Sequence, residues 1–332
     1  MSRFVRLLST LALCLAFVPA RAEPPLDELV LTGPPAAVSF PLIHMVASGA
    51  LDDVARSVRF RHWKDPDQLR VLALGGDAQV LAMPTNVAAN LYNRGVPLRL
   101  LNVSTWGVLW LVSRDDSLKT LADLRGAEIA MPFRADMPDI VFGALARAQG
   151  LDPRTDFDLR YVATPFDAMQ LLVMRRVDHA LLAEPAVAMA LRRTGSFPLK
   201  LVAPELHRSI DLQAEWGRVF EREARVPLAG ITVMGAALED PEVARRIQAS
   251  YRDSLAWCQQ QAEACGDLVA GQLDMLMPEA VTDAIAVSRL EAVPAVDARP
   301  ELEFFHRLLM EEAPALVGGR LADDGFYGLD AP

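Results

Sequence analysis

The sequence predicts an α/β protein made of two similar lobes that face each other across a cleft. Three observations carry that expectation. Apolar runs of strand length alternate with helical patterns almost to residue 235. A weak repeat relates two stretches of chain 101 positions apart. The 332 residues, 52% of them apolar, suffice for two domains of ordinary size, each with its own core.

The first segment is read as lying outside the fold. Arg3 and Arg6 precede an apolar run, Leu7–Val18, followed by Pro19-Ala20-Arg21-Ala22. That is the order of a secretory signal peptide, with cleavage expected after Ala22. The run is too short for a membrane span. A lipoprotein reading would use Cys14, but Leu13 stands where a small residue is wanted. Removing residues 1–22 would leave 310 residues and take away three arginines and no acid, so the formal charge would fall from −10 to −13. Such a surface repels phosphates, which argues against nucleic acid as a partner.

Strands are expected at Glu28–Thr32, Val58–Trp63, Ala78–Met83, Leu98–Ser104, Val108–Ser113, Glu128–Met131, Asp158–Ala163, His179–Ala183, Lys200–Val202 and Gly230–Met234. Helices lie between most of them, including Asn86–Asn93, Pro138–Gln149 with Gly150 as its stop, and Phe166–Arg175. The alternation implies largely parallel sheets covered on both faces. From Pro241 the pattern is nearly all helical: Pro241–Gln260, Gly266–Met275, Pro278–Ser288 and Pro300–Glu312. Cys258 and Cys265 would be about 10.5 Å apart in an unbroken helix, beyond the roughly 7 Å that a disulfide tolerates. An exported chain favours a structural bridge between them, which requires the helix to end near Gln261–Ala264.

The repeat aligns "DAQVLAMPTNVAANLYNRGVPLRLL" (77–101) with "DHALLAEPAVAMALRRTGSFPLKLV" (178–202). Asp77 matches Asp178, Leu81-Ala82 matches Leu182-Ala183, and Pro84 matches Pro185. Near the same offset, "VLTGPPAAVSF" corresponds in type to "IAMPFRADMPDIVF", each a strand running into a proline-bearing helix start. Ligands of open parallel sheets gather beyond the carboxyl ends of strands, where helix N-termini aim N–H groups outward. Four such ends follow: Thr32–Ala37, Met83–Asn86, Phe133–Met137 and Ala183–Pro185. Met83 and Glu184 occupy equivalent positions, one in each copy.

The order signal peptide, "VLAMPTNVAANLYNRGVPLRLL", "LVSRDDSLKTLADLRGAEIAMPF", "FGALARAQGLDP" and "ALLAEP" resembles periplasmic substrate-binding proteins of nitrate/sulfonate/taurine-type ABC importers, the SsuA- and TauA-like group. "SLKTLADLRG", Ser117–Gly126, is the most specific piece, and the resemblance runs from about Glu28 to Gln260. It implies a type II periplasmic binding protein with two hinge crossovers. Lobe one would hold residues 23–104 plus 232–332 and lobe two 108–230, with crossings near Ser104–Gly107 and Gly230–Val233. It also implies a periplasmic location, a small-molecule ligand, an ABC permease with a separate ATPase subunit, a monomer, and no cofactor. The sequence departs from sulfonate binders where they place a Gly-Ser pair: here stands Arg134-Ala135-Asp136. Two carboxylates, Asp136 and Glu184, facing the cleft would disfavour a simple anion unless Arg134 pairs with them. A neutral, zwitterionic or nitrogen-rich ligand suits that arrangement, and sulfonate, nitrate and pyrimidine-like compounds stay open.

The candidate ligand-binding residues are Gly33, Pro34, Met83, Thr85, Asn86, Thr105, Trp106, Phe133, Arg134, Asp136, Met137 and Glu184. Several have a plainer reading. Asp136 fits a helix N-cap before Pro138, Arg134 a surface ion pair, and Glu184 a carboxylate favoured by a helix dipole. Thr85 and Asn86 could cap the helix Asn86–Asn93. Trp106, after a Ser-Thr pair at the crossover, is expected with Phe133 to wall a flat ligand.

Motifs for chemistry are thin. There is no G-x-x-x-x-G-K-[ST] and no H-E-x-x-H, and no G-x-S-x-G. His44, His62, His179, His207 and His306 show no metal-ligand spacing. The expectation is therefore a receptor, not an enzyme. An enzyme on the same scaffold acting on a heterocycle, and a sensory module for a membrane receptor, are the rival readings.

Overall fold

The computed structural model describes residues 24–197 and 205–328. The signal-peptide segment and the strand expected at Lys200–Val202 lie outside the described residues. No described helix is long and apolar enough to cross a membrane.

In chain order the elements begin β1 (Leu26–Gly33), α1 (Phe40–Ala47), β2 (Ala55–His62), α2 (Pro66–Gly75), β3 (Val80–Pro84), α3 (Thr85–Asn93), β4 (Leu98–Leu100), β5 (Asn102–Gly107) and β6 (Leu109–Ser113). Then come β7 (Glu128–Pro132), α4 (Met137–Ala148), β8 (Asp158–Val162), α5 (Pro165–Val173), β9 (His179–Ala183), α6 (Ala186–Gly195), β10 (His207–Asp211) and α7 (Leu212–Phe220). The chain ends with β11 (Ala229–Met234), α8 (Ala236–Glu239), α9 (Pro241–Gln260), α10 (Ala262–Gln272), α11 (Pro278–Val287), β12 (Arg289–Pro294) and α12 (Arg299–Glu312).

Two sheets result. The first runs β12-β5-β11-β3-β1-β2, with β4 also on β11, and the second β10-β6-β9-β7-β8. The repeat is realised in them as one shared pattern. In the first sheet β2-β1-β3 are parallel and β11 joins β3 antiparallel. In the second, β8-β7-β9 are parallel and β6 joins β9 antiparallel. The sheets are therefore mixed, not largely parallel as the alternation implied. β11 and β6 join the parallel hearts in the opposite sense, and β5 and β10 in turn pair antiparallel with β11 and β6. The parallel hearts are near-continuous apolar runs, as strands covered on both faces must be: Ile129, Ala130 and Met131 of β7 are fully buried.

The chain leaves the first sheet at Gly107 and joins the second at Leu109, so the outward crossing is a single residue long. Gln213 staples it. This buried side chain accepts from Leu109 N at 3.0 Å and donates to Leu109 O at 3.1 Å. A Cβ on Gly107 would stand 2.6 Å from Gln213 Cγ, which requires glycine there. The returning chain just before β11 is tied to β5 by Val226 N to Trp106 O (2.8 Å) and Leu228 N to Thr105 O (3.0 Å).

Three further differences from expectation have local causes. The strand expected over Leu98–Ser104 is two strands, because Leu101 turns its N–H to Ile231 O between them. β10 and β12 have too few apolar residues to read as strands, and β12 lies in the gap between the expected helices Pro278–Ser288 and Pro300–Glu312. α10 starts at Ala262, four residues before the expected Gly266. Helix α9 ends at Gln260 and Cys258 is bridged to Cys265, their Cα atoms 5.1 Å apart.

Helices belonging to different sheets also meet through ion pairs. Arg192 of α6 holds Asp283 of α11 with two hydrogen bonds of 2.5 and 2.8 Å. Arg147 of α4 pairs with Glu312 of α12. Arg70 of α2 lies 3.8 Å from Asp136, the residue that opens α4.

Candidate functional site

The carboxyl ends of β1, β3, β7 and β9 converge on one cleft between the sheets, with a cavity of about 150 Å³. All four strand ends singled out from the repeat contribute to its lining, through Pro34, Met83, Phe133 and Glu184 among others. Thr105 of β5 and Leu109 of β6 form the floor beside the outward crossing.

Of the expected site residues, Pro34, Met83, Thr105, Phe133, Asp136, Met137 and Glu184 line this cavity. Gly33, Thr85, Asn86, Trp106 and Arg134 do not. Gly33 supports the site from behind: a Cβ there would lie 2.1 Å from Ser39 Oγ. Thr85 is buried, its hydroxyl donating to Pro227 O at 2.6 Å and its N–H to Leu228 O at 3.1 Å. Asn86 lines a neighbouring pocket instead, with Arg70, Arg94 and Asp136. Trp106 is turned away from the cleft, its Nε1 donating to Glu291 O at 2.9 Å while the Arg225 guanidinium stacks over the ring at 4.6 Å. Successive strand residues face opposite ways, so with Thr105 inside, Trp106 is outside. Arg134 is exposed and lies over the Tyr161 ring at 5.1 Å. It pairs with neither cleft carboxylate.

The two carboxylates have other partners. Glu184 is fully buried, and its Oε1 accepts from Arg208 Nε (3.0 Å) and Nη2 (2.7 Å) while Oε2 accepts from Ala188 N (3.0 Å). Burial holds the Glu184 carboxyl above the usual carboxylate range, with Arg208 and the Ala188 N–H opposing that rise. Asp136 caps α4 by accepting from Met137 N at 2.8 Å. Burial pushes its pKa up too, against the Met137 N–H and Arg70.

The loop carrying Phe133 is strained. Phe133 (φ 57°) and Ala135 (φ 59°) both sit in the left-handed region, which costs an L-residue roughly 1–2 kcal/mol. Ala135 N donates to Asp139 Oδ2 at 2.7 Å, which helps hold the turn. Ala135 is exposed, so Ala135→Gly should relieve strain without losing packing. We expect a stability gain of about 0.5–1 kcal/mol in urea denaturation. A loss would mean that the turn is not under strain.

Sequence reasoning missed Trp63 and Phe166, which line the cleft. Trp63 ends an expected strand and Phe166 starts an expected helix, so the strand-end logic could have found both. Trp63 is pinned by its Nε1 donating to Ala82 O at 3.1 Å. Arg208 carried no signal of its own, because its strand was not recognised and no spacing links it to Glu184.

No protein-family model matches the chain, and no curated protein matches it. Solved structures do. An ABC transporter structure from Parabacteroides distasonis superposes with a TM-score of 0.71 at 20% identity, covering 91% of this chain and 98% of that one. The periplasmic nitrate-binding protein NrtA from Synechocystis PCC 6803 gives 0.68 at 13% identity, covering 87% and 82%. The periplasmic aliphatic sulphonate-binding protein SsuA from Escherichia coli gives 0.64 at 15%, covering 90% and 92%. Matched over nearly its whole described length, the chain has the two-lobed α/β fold of type II periplasmic binding proteins.

Proposed function

We propose that the protein is an exported receptor that captures a small molecule between its lobes and presents the closed form to an ABC permease driven by a separate ATPase subunit. One observation carries this reading: equivalent strand ends of two related sheets line a single cleft beside a one-residue crossing. Residues 23–104 plus 232–332 would move as one lobe and 108–230 as the other. Ligand contacts to both would shift the open–closed equilibrium. The nitrate- and sulphonate-binding names of two similar structures support the same reading.

Native mass spectrometry of the purified monomer, with small-angle scattering before and after ligand addition, tests it. The expected result is one small molecule per chain, released unchanged on denaturation, and a smaller radius of gyration when bound. A chemically altered product would favour an enzyme on this scaffold. A radius that ligand does not change would overturn the hinge mechanism.

A further inference from the structure

Six helix N-termini end at the cleft, and an oxyanion receptor would be expected to leave their N–H groups free. Here each start carries proline. Pro34 and Pro35 precede the turn into α1, Pro66 opens α2, Pro84 caps α3, Pro138 lies in the first turn of α4, Pro165 opens α5 and Pro185 caps α6; all line the cavity. Proline has no N–H. Further donors are taken from within the protein. Asp65 accepts from Gln68 N, Asp136 from Met137 N, Thr164 from Asp167 N and Glu184 from Ala188 N, and Leu228 O takes Thr85 N. The three carboxylates among these acceptors, Asp65, Asp136 and Glu184, also oppose the positive ends of the helix dipoles.

The two cleft carboxylates are answered as well. Glu184 has Arg208 and Asp136 has Arg70, and Lys64 is exposed at the mouth. What remains inside is aromatic and aliphatic surface from Trp63, Phe133, Phe166, Met83 and Met137. One polar atom stands out. Thr105 lines the cavity and is buried to all but 4%, and its hydroxyl has no hydrogen-bond partner among the described residues. A buried unpaired hydroxyl is costly unless something in the cavity pairs with it.

We infer that this cleft, on the receptor reading above, takes an uncharged single-ring molecule with one hydrogen-bonding group, anchored on the Thr105 hydroxyl, and excludes oxyanions. The size agrees: a cavity of about 150 Å³ is of the order that holds one benzene ring.

Calorimetric titration with phenol, toluene, benzylammonium, nitrate and ethanesulfonate tests the class. Phenol should bind at least tenfold more tightly than either anion or the ammonium. Thr105→Val should weaken phenol about fivefold, the share of one hydrogen bond, and leave toluene unchanged. Because the hydroxyl has no partner among the described residues, the variant should fold with undiminished stability, which a melting curve verifies. Tighter binding of nitrate, ethanesulfonate or benzylammonium than of phenol overturns the ligand class and leaves the receptor reading standing. So does failure of phenol and toluene to bind at millimolar concentration. Conversion of a bound probe to another compound overturns the receptor reading instead.

Discussion

Replacing Arg208 by methionine is expected to cost the fold about 3 kcal/mol at neutral pH. Truncating one partner of a buried ion pair leaves the other charge uncompensated, which typically costs about 3–5 kcal/mol. The lower end applies because the arginine side chain keeps 24% of its exposure while that of Glu184 keeps none. Glu184 would retain only the Ala188 N–H. The pH dependence follows from the direction of its shift. A carboxyl whose pKa is higher in the folded state holds its proton there over a window in which the unfolded chain has lost it. Stability therefore falls as pH rises through that window. Without Arg208 the folded pKa moves higher still, so the window extends upward. The deficit of Arg208→Met should then be largest at neutral pH and shrink on acidification. Urea midpoints at several pH values measure this. The double variant Arg208→Met with Glu184→Gln removes both charges and should recover most of the loss. A pH-independent deficit below about 1 kcal/mol would show that the pair does not hold the cleft wall together.

Gly230→Ala should be at least as damaging. Gly230 lies in β11, pairs with Met83 across the ladder, and has β5 packed against its other side. An added Cβ would stand 1.8 Å from the Asn102 carbonyl oxygen and 2.8 Å from its carbon. Both are backbone atoms inside a sheet, so no rotamer change relieves the overlap. Forcing atoms into a packed site costs about 1–3 kcal/mol even where side chains can move. Here we expect about 3 kcal/mol or more, with loss of soluble protein. Gly271→Ala is the contrast. Nothing lies within 4 Å of a Cβ there, near the end of α10, and alanine should be neutral or stabilising by up to about 1 kcal/mol. Equal effects of the two substitutions in chemical denaturation would remove the case for a close strand approach at Gly230.

The parts of the fold legible in the sequence were those where local chemistry and tertiary demand agree. Strand β9 has the bounds His179–Ala183 in both readings, because an apolar run stops at Glu184-Pro185. Helix α9 likewise runs Pro241–Gln260 as expected, opened by an aspartate cap and a proline. The polar strand β10 lies at a sheet edge and has no such signature, and Arg208 was lost with it. The cleft's position was legible because a repeat puts equivalent strand ends opposite each other. Which side chain at each end turns inward was not. That choice depends on strand alternation and on turn geometry, which put Thr105 inside and Trp106 outside, and Phe133 inside with Arg134 outside. The proline at each helix start was visible as composition, yet its meaning required knowing that all six starts share one hollow.

The arginine–acid contacts linking α6 to α11, α4 to α12 and α2 to the start of α4 have a bearing on the resting molecule. On the proposed hinge reading they would clasp the two lobes through protein atoms alone, and part of the drive toward the shut form would come from the protein itself. Each is partly open to solvent and of the kind that dissolved ions screen. If the hinge operates as proposed, the salinity of the surroundings would act as a dial on how often the empty jaws gape.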